Sequence, residues 1–232
     1  MAYRFVTNFI ISLGFPLGFF SIIFSLREGF IFSGWLIIGT VLSDIVIRIT
    51  RLDEKEDEFE KEFRSLARFI SFGIAPIILV YKNFDEFYLP IVASLFLYLL
   101  SSMIRFSRFS SSSDETSHLK GLPVAISAGF LAITVVVIKR YSIDLNIGTT
   151  AILIMILSGL QLSPIKYLNF RNLRNKKIIK NKRIILLFSI IGLILLNILG
   201  EPLIWFLFLG YILVCPLLIR FNLFDKIKQK PR

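Results

Sequence analysis

Apolar runs close to twenty residues long recur along the whole of this 232-residue chain. Each is long enough to cross a hydrocarbon core about 30 Å thick. A chain of this size in water could not bury them all, and would expose far more than the few hundred Å² of contiguous apolar surface that soluble monomers carry. A mean hydropathy of +0.75 and a hydrophobic content of 55% point the same way. Backbone groups in lipid must be satisfied inside the protein, and runs of this length do so as helices. The pattern predicts an all-α, polytopic membrane bundle of about eight transmembrane helices. They are placed near residues 5–25, 30–50, 65–81, 88–104, 123–138, 147–165, 184–199 and 203–219, within a single domain spanning 1–232.

The net charge of +11 invites a nucleic-acid reading, so its distribution matters more than its size. With both termini placed in the cytoplasm, all but four of the 27 lysines and arginines fall on inward segments; the exceptions are Arg27, Lys82, Lys139 and Arg140. Positive charge in short loops is the dominant orientation signal. Both termini are therefore expected to be cytoplasmic, in a multi-pass protein of the cell membrane with no nucleic-acid partner. Arg4 precedes the first apolar run and no small-residue cleavage site follows, so that run is read as a retained span. Cys215 is the sole cysteine and His118 the sole histidine. This excludes an internal disulfide and a cysteine metal cluster, and His118, in SSSSDETSH, reads as a solvated loop residue.

Several local features carry chemical or packing information. Gly14, Pro16 and Gly18 interrupt the first span, as expected of a packing notch or kink. The second span ends in Ser43, Asp44, Arg48 and Arg51. Charge within a span marks a functional candidate, and two readings are open: a functional site, or an i,i+4 Asp44–Arg48 pair with the arginines reaching to the headgroups. Beyond it, Leu52, Phe59, Phe63, Leu66 and Ile70 recur at helical spacing, predicting that the third span extends into the cytoplasm as an amphipathic helix. Glu60 and Arg64 share another stripe of that helix at i,i+4. Arg105 and Arg108 close the fourth span, Lys120 precedes the fifth, and KYLNFRNLRNKKIIKNKR is the most basic segment, placed to meet anionic lipid.

The stretch from Ser43 to Pro76, SDIVIRITRLDEKEDEFEKEFRSLARFISFGIAP, resembles the active-site segment of the CDP-alcohol phosphatidyltransferases. Its closing SFGIAP resembles the phosphatidylserine synthase branch. GFPLGFFSIIFSLREGFIFSGWLII resembles that branch's first hairpin, IRFSRF the basic end of its fourth span, KGLP the loop that follows and LNFRNL a later basic loop. The resemblance implies a helical membrane domain, commonly dimeric, that uses magnesium or manganese. Four aspartates on two helices hold the metals against the pyrophosphate of CDP-diacylglycerol, and the last aspartate takes the proton of the incoming alcohol.

Aligning SFGIAP and Thr50–Leu52 with their family counterparts sets the register without a gap. Arg51 then retains the motif arginine. The four carboxylate positions are occupied by Ser43, Val46, Arg64 and Arg68, and the two glycine positions by Ile47 and Glu60. Four negative charges have become two positive ones. A divalent ion about 6 Å from one arginine meets a repulsion of roughly 5 kcal/mol at an effective dielectric near 20. Hard cations also need several oxygen ligands, and arginine stays protonated and cannot act as base. The expectation is a degenerate motif over 43–68, with no catalytic residues, no bound metal and no cofactor.

Arginines in these places suit phosphate instead. Arg51, Arg64, Arg68, Arg105, Arg108 and Lys120 are the candidate headgroup or anion ligands. The expected partners are membrane lipids, CDP-diacylglycerol or anionic phospholipid, and a second copy or an active relative in a dimer. The competing readings are an inert scaffold in which Arg64 pairs with Glu60 and Arg68 reaches to the headgroups, a working phosphatidyltransferase, and a small transporter. A metal site relocated to Asp44 or the acidic turn would need carboxylates paired on two facing helices, and that turn lacks the spacing.

Overall fold

A run of apolar residues broken by a glycine-bearing turn makes two helices that must pack against each other, and the chain begins this way. In a computed structural model, which describes residues 2–50, 58–84, 87–111, 118–144, 146–168 and 200–220, α1 (Ala2–Leu26) and α2 (Phe30–Thr50) form a helical hairpin. At its turn Glu28 takes φ 61°. Ser21, Ser25 and Ser33 are buried beside the turn and satisfy one another: the Ser33 hydroxyl lies 2.8 Å from that of Ser21 and 2.6 Å from that of Ser25. Burying hydroxyls without such partners would be costly.

Helix α3 (Glu58–Arg68) runs through one π-helical turn, Phe69–Ile74, into α4 (Ala75–Lys82). Over Glu62–Lys82 this composite is long and apolar enough to cross a membrane. Its N-terminal part is amphipathic, as the stripe predicts, with Phe63 and Leu66 exposed and Arg64 and Ala67 buried. The π turn has a local cause. Pro76 has no N–H to return to the preceding turn, and the Phe72 carbonyl, four residues back, accepts the Tyr98 hydroxyl at 3.1 Å.

Helices α5 (Leu89–Ser111), α6 (Val124–Tyr141) and α7 (Ile147–Leu162) follow. Leu89–Arg108 and Val124–Tyr141 are also long and apolar enough to span. Among the described residues three helices meet that criterion, and four shorter apolar helical stretches, of 10–17 residues, accompany them. The predicted seventh span, near 184–199, lies outside the described residues. The last helix, α8 (Glu201–Arg220), docks on α6: the Trp205 indole donates to the Thr134 hydroxyl at 3.0 Å and its ring meets Phe130.

Helix α6 is the axis, buried along most of its length and packed by α2, α4 and α8. Large apolar side chains such as Phe20, Phe96, Ile156 and Phe206 point outward, as expected where the surrounding solvent is hydrocarbon. Two of the four exceptional cations have partners at the end of α6: Lys139 sits 4.6 Å from the centre of the Phe30 ring, and Arg140 lies 3.6 Å from Glu201.

The described residues are mostly helical, with one departure among them from the all-α expectation. His118–Lys120 (β1) and Lys166–Leu168 (β2) form a short antiparallel pair, with Leu119 opposite Tyr167. The backbone of His118 is therefore in a strand and not in an irregular loop. The ladder holds the start of α6 beside the end of α7. Gly121, at φ +80°, makes the turn into α6 that no side chain could follow. Tyr167 is fully buried and stacks on Tyr211 of α8, tying the last helix to this corner.

Candidate functional site

On α3 and its π continuation, Arg64, Ala67, Arg68, Ser71 and Phe72 recur at helical steps of three and four, so they share one face. On α2, Thr40, Ser43 and Asp44 do the same. The two faces meet, with Gly14 and Phe15 of α1 closing one side, around a small cleft. Close approach of α1 needs Gly18: a Cβ there would stand 2.9 Å from the Ser71 Cα. The Ser71 hydroxyl in turn donates to the Gly14 carbonyl at 3.1 Å. The glycines of the first span thus act as the packing notch their sequence suggests.

A buried ion pair crosses the cleft. Nε of Arg68 donates to Oδ1 of Asp44 at 2.6 Å, and the two side chains are 15% and 6% exposed. The guanidinium turns inward to a carboxylate on the neighbouring helix, which differs from the competing reading in which it reaches to the headgroups. An ion pair so withdrawn from water persists because each partner would otherwise be a buried lone charge. Arg64 lies one turn earlier and is also buried. The Ser43 hydroxyl donates to the Thr40 carbonyl at 2.8 Å, a contact within its own helix.

Of the positions singled out from the sequence, Ser43, Arg64 and Arg68 are brought together here. Arg105, Arg108 and Lys120 do not line the cleft. Arg105 is instead a staple: one of its terminal nitrogens donates to the carbonyls of Lys120 at 2.8 Å and Gln161 at 2.9 Å, joining β1 to the last turn of α7. A cation at these carbonyls is also favoured by the dipole of α7. Arg108 and Lys120 have exposed side chains. Arg51 and the acids at 53–57 lie outside the described residues, as do the side chains of Val46, Ile47, Arg48 and Glu60. The suggested Asp44–Arg48 and Glu60–Arg64 pairs therefore fall outside them too.

Asp44 was weighed as a partner for Arg48 or as part of a relocated metal site, and its contact with Arg68 on another helix was not foreseen. The available signal was opposite charge on two helical stripes that both flank the motif.

The lining does not suit a divalent cation. Its one carboxylate already holds a guanidinium at 2.6 Å, and two guanidiniums border the same space. Among the described residues no three His, Cys, Asp or Glu side chains are grouped to hold a metal. The lining brings two guanidiniums, one carboxylate and the hydroxyls of Thr40, Ser43 and Ser71 to one place.

No protein-family model matches the chain. It is similar to the CDP-diacylglycerol–serine O-phosphatidyltransferase of Helicobacter pylori strain 26695, 29% identical over 168 residues that cover 68% of this chain and 69% of the relative. The protein of the same description from strain J99 is 29% identical over 169 residues, with the same coverage. The chain is related to the CDP-alcohol phosphatidyltransferases. Ser43, Arg64 and Arg68, three of the positions that the sequence resemblance singled out, line one cleft.

Proposed function

We propose that the chain is a phosphatidylserine synthase-like membrane protein of phospholipid metabolism that is catalytically inactive and binds a phospholipid or CDP-lipid headgroup at the inner leaflet. The observation that carries this reading is the Arg68–Asp44 ion pair inside a cleft also lined by Arg64. Where metal-ligating carboxylates would have to converge, two guanidiniums do. Phosphate oxygens match that geometry and a metal-bound pyrophosphate does not.

The protein would lie in the cell membrane with eight spans and both termini in the cytoplasm, since the basic loops alternate accordingly. It would act as a homodimer or beside an active relative, as its family commonly does. The second reading is a working phosphatidyltransferase that moves phosphatidyl from CDP-diacylglycerol to serine or another alcohol, releasing CMP; the activity for which the two relatives are named favours it.

One assay separates the two. Purified protein is given CDP-diacylglycerol, magnesium or manganese and a panel of alcohols, and CMP is followed. The expected result is no release above background. Release that a chelator abolishes would reject the inactive reading. Charge reversal of Arg64 and Arg68 together is expected to lower affinity for phosphate-bearing lipid by tenfold or more, roughly what losing one charge-assisted contact costs.

A further inference from the structure

We infer that α3 is embedded in the membrane, its outward apolar face covered by lipid acyl chains. The third span then begins near Glu62, and the arginine-bearing cleft lies below the bilayer surface. This differs from a cytoplasmic extension of the span, and it does not depend on what the cleft binds.

Length is the first reason. The π turn and α4 have 6 and 8 residues and together rise about 21 Å, whereas the hydrocarbon core is about 30 Å thick. The missing ~9 Å corresponds to about six helical residues, which carries the span back to Phe63. With α3 in water the bilayer would have to thin around this helix, at a cost for every ångström. The sequence marks the same boundary, since no acidic residue follows Glu62 until Asp85.

The second reason is the direction of the faces. Phe63, Leu66, Ile70, Ile74, Ile77 and Tyr81 recur at steps of three and four along α3, the π turn and α4. All are aliphatic or aromatic, and none of them is buried. Leu66 is the most exposed of the α3 pair, at 64%. Arg64, Ala67, Ser71, Ala75 and Leu79 form another stripe, and every one is buried. A single apolar face thus runs outward along the whole composite and continues without a break from the part that spans into α3. A surface helix in water has the reverse arrangement, with charge outward and apolar side chains toward the core. Charged side chains within a span face the bundle interior and pair there, as Arg68 does with Asp44 at 2.6 Å. Arg68 lies about 9 Å beyond Glu62 along the helix, so the ion pair sits at a depth where lipid surrounds the bundle.

The test uses the full chain in a Cys215→Ala background, with a nitroxide attached to Phe63→Cys or Leu66→Cys, reconstituted in phosphatidylcholine–phosphatidylglycerol vesicles. Depth is read from collisions with oxygen, which concentrates in hydrocarbon, and with a water-soluble nickel chelate, which hydrocarbon excludes. Both labels are expected to be relaxed by oxygen and protected from the chelate, with position 66 deeper than position 63 by about 4–5 Å. A label on Glu28→Cys, in the α1–α2 turn, is expected to meet the chelate. Relaxation by the chelate at Leu66→Cys as strong as at Glu28→Cys places α3 in water and overturns the inference. Protection from both reagents means that protein covers the face, and overturns it as well; dipolar broadening that disappears on dilution with unlabelled protein then identifies the cover as a second copy. If neither variant folds, the wild type decides. A carbene precursor carried on a lipid acyl chain is expected to modify Phe63 or Leu66 on illumination, as it modifies the outward-facing Phe96 of α5. Modification of Phe96 without either of the two overturns the inference. Each of these outcomes leaves anion binding to be decided separately, by charge reversal of Arg64 and Arg68.

Discussion

Arg68 and Asp44 stand 24 positions apart in the chain and meet at 2.6 Å. For a pair so withdrawn from water, removing one partner and removing both have very different consequences. A lone buried charge costs about 3–5 kcal/mol, whereas replacing both partners by apolar groups of similar size is often neutral. Asp44→Ala is therefore expected to destabilise the protein by about 3 kcal/mol or more, and Asp44→Ala with Arg68→Leu by clearly less. Thermal unfolding in detergent across the four proteins of the double-mutant cycle measures this. Additive losses would show that the pair contributes no coupling. The same argument accounts for an acid on this face of α2: it is the complement of an arginine.

At the scale of elements, the π turn Phe69–Ile74 sets where the arginine-bearing face of α3 lies relative to the span that follows. It is anchored from three sides. Ser71 reaches the Gly14 carbonyl, Pro76 withholds an N–H, and Tyr98 donates to the Phe72 carbonyl. Tyr98 belongs to a buried polar chain. Its hydroxyl lies 3.3 Å from that of Ser127, which accepts from the Gln161 amide at 2.7 Å. The Gln161 oxygen accepts from Ser101 at 2.8 Å and from Ser102 at 3.2 Å. These side chains belong to α5, α6 and α7, so the network cross-links three helices in surroundings that supply no water. Tyr98→Phe deletes one hydroxyl and leaves the Phe72 carbonyl without it. The expected cost is about 1–3 kcal/mol, read as a lower melting temperature, with faster hydrogen exchange at residues 69–77 than elsewhere. A variant that melts like the wild type and exchanges no faster there would show that the turn holds without this bond.

For the whole molecule, the ladder between His118–Lys120 and Lys166–Leu168 requires that α6 begin and α7 end on one side of the bundle. The α1–α2 turn at Arg27–Gly29 and the α6–α7 connection then belong to the opposite side in the proposed topology. In a Cys215→Ala background, single cysteines at Glu28 and Asp144 are expected to react with a membrane-impermeant thiol reagent added to intact cells. Cysteines at Lys120 and Lys166 are expected to react only after the cells are opened. Labelling of Lys120 and Asp144 positions from the same side would contradict the proposed topology.

Much of this protein is written locally. The length and apolarity of the runs set the helical membrane class, because lipid tolerates little else. The order of SFGIAP, Arg51 and the flanking segments was enough to place the chain beside a family, and side-chain chemistry alone argued against divalent metal at Ser43, Arg64 and Arg68. Gly14 and Gly18 could be read as a notch, since small residues in a span allow backbones to meet. Partnership was not legible. Whether Arg68 would extend to water or turn inward depends on which residue faces it from another helix, and one-dimensional spacing offered Asp44 only its neighbour Arg48. Arg105 looked like a phosphate ligand because its charge was visible, while the carbonyls of Lys120 and Gln161 that engage it come from segments 15 and 56 residues away. The short β ladder was missed for the same reason, since three-residue strands carry no period of their own and exist only once two helix ends are brought side by side. Local periodicity determines what each segment becomes. Which charges cancel, and which remain to receive a ligand, follows from packing segments that are distant in the chain.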